Sequence, residues 1–104
     1  MAVVTVNPGN CNFAARIEAS ASPEGTIGVA IVSECPRVRE FAAAVSTLSA
    51  TCAAGRKCAE FFVYEPAAKA NLHPACPIPT AVLKALEVAA GLARPQDITI
   101  HFEG

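Results

Sequence analysis

Thr26-Ile-Gly-Val-Ala-Ile-Val-Ser-Glu-Cys35-Pro36 contains both kinds of element from which this chain is built. Ile27, Val29 and Ile31 fall on alternate positions, the period of a strand with one buried face. Pro36 then suits the first position of a helix, where its missing N–H would have no partner anyway. A strand over 26–33 therefore hands directly to a helix, and a cysteine stands at the joint.

Working outward, Ser20 to Gly25 reads as a turn, and Phe13, Ala15, Ile17 and Ala19 before it alternate with Asn12, Arg16 and Glu18. Val3 to Val6 is a β-branched run closed by Asn7-Pro8-Gly9-Asn10, a strong turn signal. Three strands in meander order are predicted. Downstream, Val38, Phe41, Ala42, Val45 and Leu48 keep the helical spacing. Residues 49–75 are the least regular, with the apolar patch Phe61-Phe62-Val63-Tyr64 and a helical turn from Pro66 to Asn71. A second helix begins near Pro79, with Val82, Leu83, Leu86, Ala89 and Ala90 inward. Gly91 is its C′ residue, and Pro95 prevents continuation. Ile98, Ile100 and Phe102 alternate as a last strand. The expected fold is α+β: a four-stranded sheet, in chain order β-β-β-α-α-β, with two helices on one face.

The chain has 104 residues, enough for a single domain over 1–104. Apolar residues make up 53% and charged residues 16%, the balance of a globular chain. A net charge of −1 without a basic run points away from nucleic acid and anionic membrane as partners. Every apolar stretch is interrupted before membrane-spanning length. Met1-Ala-Val-Val-Thr-Val carries neither a basic region nor a cleavage site, so a reducing cytoplasm is the expected setting. There, five cysteines do not suggest a disulfide framework, and an odd number leaves one thiol over in any case. Metal binding and thiol chemistry remain.

Cys11 lies in the first turn, Cys35 before Pro36 and Cys76 before Pro77. Thiols at element boundaries face free backbone N–H groups, and thiolates are the ligands of soft metals and iron–sulfur clusters. If strands one and two form a hairpin, its turn places Cys11 at one end of the sheet. Strand two leaves that end and strand three returns to it with Cys35. If the last strand runs parallel to strand three, the second helix starts at the same end and brings Cys76. One pole would then carry Cys11, Cys35 and Cys76, with two helix N-termini aimed at it.

No Cys-x-x-Cys occurs, so the signature of zinc ribbons and bacterial ferredoxins is missing. Cys52, Cys58 and His73 are candidates for a fourth ligand. Cys52-Ala-Ala-Gly-Arg-Lys-Cys58 could complete the site, form a redox-sensitive pair or be incidental. His73-Pro-Ala-Cys76 could wrap one metal, or His73 could be an ordinary loop histidine at a helix entrance. His101 belongs to the solvated face of the last strand. There is no phosphate loop, nucleophile elbow or His-Glu-x-x-His motif, and no catalytic residue is assigned.

Asn7-Pro-Gly-Asn-Cys11-Asn-Phe13, Ser33-Glu-Cys35-Pro36 and His73-Pro-Ala-Cys76-Pro-Ile-Pro, followed by Leu83-Lys-Ala-Leu-Glu-Val-Ala-Ala-Gly-Leu, resemble a family of small cysteine-containing proteins of anaerobic bacteria and archaea, a domain of unknown function. The resemblance covers nearly the whole chain and is strongest over 73–100. It matches Cys11, Cys35 and Cys76 to the family pattern, and leaves Cys52 and Cys58 outside it. It implies an anaerobic cytoplasm, a setting that suits an oxygen-sensitive cluster.

The expected function is a small iron–sulfur binding protein, with [4Fe–4S] held by Cys11, Cys35 and Cys76. Its role would be that of carrier, scaffold or electron-transfer accessory to a protein partner, such as a cluster donor or acceptor or a redox enzyme. The alternatives are a zinc-binding module using the same cysteines and a metal-free thiol-redox protein. The patch at Phe61–Tyr64 offers a surface for a homodimer.

Overall fold

The computed structural model describes residues 1–104. Three strands form the expected meander: β1 (Ala2–Val6), β2 (Ala15–Ala21) and β3 (Thr26–Ser33). β1 pairs with β2 from Ala2↔Ala19 to Val6↔Ala15, and β2 pairs with β3 from Ala15↔Ser33 to Ala21↔Ile27, both antiparallel. The register aligns Ala2, Ala15, Ile17, Ala19, Ile27 and Val29 on one buried face. Val3, Thr5, Arg16, Ala30 and Val32 face solvent on the other. Helices cover only the inner face, as the strict alternation along β2 and β3 requires.

Helix α1 (Pro36–Ala44) starts at its proline and buries Val38 and Phe41 against β3. The helical spacing through Leu48 does not hold to its end. The helix stops at Ala44, and Leu48 instead lies on a short strand, β4 (Thr47–Ser49), antiparallel to β3 with Ile27 opposite Leu48. Ser46 and Thr47 favour the helix poorly. The free edge of β3 also offers backbone partners, since Val29 N–H already donates to Ser46 O at 2.8 Å. The sheet order is therefore β1-β2-β3-β4.

The fourth strand is thus Thr47–Ser49, between the helices in the chain, and not Ile98–Phe102. Residues 94–104 form neither helix nor strand. The β3 edge of the meander is occupied by β4. Phe13 is a second departure: it lies outside β2 and is exposed, because Asn12 turns the chain at φ 58°.

Beyond β4 a 3₁₀ turn (Ala50–Ala53) leads to α2 (Arg56–Ala59), a π-turn (Glu60–Tyr64) and α3 (Glu65–Lys69). This stretch is helical where the sequence shows little periodicity. Pro66 accounts for the widened turn, since it lacks an N–H and its ring crowds the carbonyl four residues back. Only Val63 of the aromatic patch is buried, leaving Phe61, Phe62 and Tyr64 exposed. Asn71, at φ 59°, ends α3, with Leu72 N–H donating to Ala67 O and Asn71 N–H to Ala68 O.

Helix α4 (Ile78–Ala89) lies across β1 and β2. Ile78, Ala81, Val82, Ala85 and Leu86 recur at helical spacing and are buried. Gly91, at φ 77°, closes it as expected, with Leu92 N–H bonded to Glu87 O and Gly91 N–H to Val88 O. No helix is long and apolar enough to cross a membrane.

Phe41 is fully buried, whereas Phe61 is 60% exposed. Phe41→Ala should lower the unfolding free energy by about 3–5 kcal/mol. Phe61→Ala should change it by no more than about 0.5 kcal/mol. Urea unfolding measures both, and equal losses would contradict this description of the core.

Candidate metal centre

Cys11 sits on the turn between β1 and β2, and local bonds build that turn. Gly9 N–H donates to Asn7 Oδ1 at 3.1 Å and Asn12 N–H to Gly9 O at 3.0 Å. Gly9 and Asn12 both adopt positive φ, 83° and 58°. Two left-handed residues around Cys11 fold the turn back sharply and leave its thiol exposed.

Cys35 caps α1 with extended backbone at φ −70° and ψ 119°, and its carbonyl accepts the Arg39 N–H at 3.0 Å. Two neighbours hold it there. The Oγ of buried Ser33 accepts the Cys35 N–H at 3.2 Å, and Arg39 Nε donates to Ser33 O at 2.8 Å. Sequence reasoning passed over both residues. A serine two positions before a cysteine is a local turn signal, and Arg39 lies one helical turn beyond.

Cys76 precedes α4, at the end of a turn in which its N–H donates to His73 O at 3.0 Å. In Pro77-Ile78-Pro79 the two prolines have no N–H, so Ile78 supplies the one backbone donor of that tripeptide. Burial pushes the Cys76 thiol above its ordinary value of 9.0. The Ile78 N–H favours the thiolate and opposes that rise, while charge on Cys11 and then Cys35 adds to it. Cys76 thus feels both of the other thiols, and the three share one end of the sheet.

The route to that arrangement differs from the one expected. The meander brings Cys11 and Cys35 to the same end of the sheet, as the β2–β3 register requires. Cys76 arrives because α4 runs across β1 and β2, with no last strand to steer it. The thiols do not form a finished cage: no group of three or more His, Cys, Asp or Glu side chains is arranged to hold a metal ion.

Cys52 and Cys58 lie elsewhere and are joined to each other in a disulfide. β4 ends opposite Thr26, the start of β3, and Ala50 N–H donates to Gly25 O at 2.9 Å. Cys52 follows at that end. Cys35 lies beyond the other end of β3, an eight-residue strand, which spans roughly 25 Å. The pair therefore contributes no fourth ligand to the pole. Of the three candidates, only His73 is near, exposed on the loop that carries Cys76.

Residues 2–102 match a protein family over almost their full extent. The chain belongs to DUF6951, a family of unknown function. No curated protein and no solved structure matches it. Membership in DUF6951 extends over all three boundary cysteines and over the segment after α4.

Because the folded-state value of Cys76 lies above the ordinary one, folding favours its protonated form. That contribution is whole below pH 9.0 and is lost as pH rises through the higher folded-state value. The melting temperature of metal-free protein should decline in alkaline solution, and Cys76→Ala should flatten the decline. An identical decline in the variant would assign it to another group.

Proposed function

We propose that the pole carrying Cys11, Cys35 and Cys76 binds an iron–sulfur cluster, [4Fe–4S] in type, and that the protein serves as a cluster carrier, scaffold or electron-transfer accessory. The observation that carries this reading is the β2–β3 register, which sets the Cys11 turn and the Cys35 cap at one end of the sheet, with Cys76 within electrostatic reach of both and beside the backbone donor of Ile78. A thiol held protonated by burial and by neighbouring sulfur, as Cys76 is, gains most from a cation that replaces its proton. Cys11 is the thiol that closes the site, because it stands exposed on a glycine- and asparagine-shaped turn while Cys35 and Cys76 are half-buried.

Three protein thiolates leave one iron of such a cluster open to an exchangeable ligand. An open position suits hand-over to a partner, here a cluster donor or acceptor or a redox enzyme. An anaerobic cytoplasm belongs to the same proposal. The metal-free alternative finds less support at Cys76, whose raised value opposes an activated nucleophile at neutral pH. Zinc is the second reading, favoured by the turn that folds His73 back beside Cys76 and offers an imidazole as fourth ligand.

Protein purified without oxygen should be brown, with broad thiolate-to-iron absorption near about 400 nm and matching iron and sulfide. Cys11→Ala, Cys35→Ala and Cys76→Ala should each remove the chromophore, whereas Cys52→Ala and Cys58→Ala should retain it. A chromophore that survives all three pole substitutions would overturn the assignment. Colourless protein with stoichiometric zinc would select the second reading.

A further inference from the structure

Asp97-Ile-Thr-Ile-His-Phe-Glu103 has the alternation of a strand with one apolar face, yet it pairs with nothing in its own chain. No backbone group after Leu92 takes part in a hydrogen bond. Ile98, Ile100 and Phe102 are 55%, 87% and 92% exposed. A strand-forming segment whose apolar side chains and backbone groups are all free is incomplete as it stands.

The sheet is incomplete in a corresponding place. Its order leaves β1 and β4 as the edges, and β4 has only three residues. β1 has five, Ala2-Val-Val-Thr-Val6, the length of Ile98–Phe102. It carries no charge, no proline and no bulge, the devices by which sheets blunt an open edge. Val4 and Val6 point to the core side but are only partly buried, since nothing lies beyond β1 to cover them.

We propose that the 97–103 segment of one copy adds as a strand to β1 of a second copy, reciprocally, so that the protein is a strand-exchanged homodimer. Ile98, Ile100 and Phe102 then continue the buried face beside Val4 and Val6 of the second copy. Asp97, Thr99, His101 and Glu103 continue the solvated face with Val3 and Thr5. The unpaired strand and the unpaired edge belong to one chain but do not meet within it. A two-fold exchange completes both at once and leaves no open β1 edge. The dimer surface expected at Phe61–Tyr64 is not needed for this.

The test is sedimentation equilibrium on the full chain and on Ile98→Asp/Ile100→Asp, with circular dichroism to establish that the variant folds. A mixed sample of labelled and unlabelled chains should also give intermolecular nuclear Overhauser contacts between the methyls of Ile100 and Val4, a readout that needs no substitution. The wild type should be dimeric, and the double substitution should raise the dissociation constant by about 100-fold or more, because it would bury unpaired charge. A monomeric wild type overturns the proposal, whether or not hydrogen exchange finds residues 98–102 protected against their own β1. So does a dimer that persists in the folded variant, which would place the interface elsewhere.

Discussion

The antiparallel ladder between β2 and β3, from Ala15↔Ser33 to Ala21↔Ile27, is the constraint on which the rest of the molecule depends. A slip of β3 by one residue on β2 would turn Ile27 and Val29 out of the core and Val32 into it. The same register sets what stands at each end. Ala15 opposite Ser33 brings the Cys11 turn and the Cys35 cap to one pole. Ala21 opposite Ile27 sends the Gly25 turn, and with it Cys52, to the other. The candidate site and the fold are therefore coupled through one set of backbone bonds.

At the thiol pole two opposing influences meet. At Cys76, burial and the neighbouring thiols favour the proton on sulfur, while the Ile78 N–H at the start of α4 favours its charge. In metal-free protein the first influence prevails at Cys76. A bound cation would reverse the balance, so ligand affinity should rise with pH as protons leave the thiols. The Ser33–Arg39–Cys35 bonds and the prolines around Ile78 hold two of the three sulfurs on rigid elements. The third, Cys11, rides on an exposed turn.

Much of this was legible in the sequence because periodicity and punctuation agreed there. β3 and the start of α1 follow from alternation broken by Cys35-Pro36. The end of α4 follows from Gly91. Leu48 misled, because a residue three beyond Val45 fits a helix face and a strand partner of Ile27 equally well, and only the free edge of β3 decides between them. The stretch from Arg56 to Lys69 was opaque because its helix is irregular around Pro66 and buries few side chains. Ile98–Phe102 shows the opposite failure: a clear strand pattern carries no information about whether its own chain offers a free edge to pair with. The cysteines were legible as boundary residues. Their placement with Cys76 at the pole and Cys52 away from it required the sheet order, which short strands such as β4 alter without a strong sequence signal.

The convergence of three thiols is tested most directly by dibromobimane, which becomes fluorescent when it bridges two thiols that lie close together. Applied to reduced, metal-free protein and mapped by peptide mass spectrometry, it should link Cys11, Cys35 and Cys76 pairwise, and Cys52 only to Cys58. Bridges joining either member of the Cys52–Cys58 pair to the other three, or none among Cys11, Cys35 and Cys76, would contradict the account.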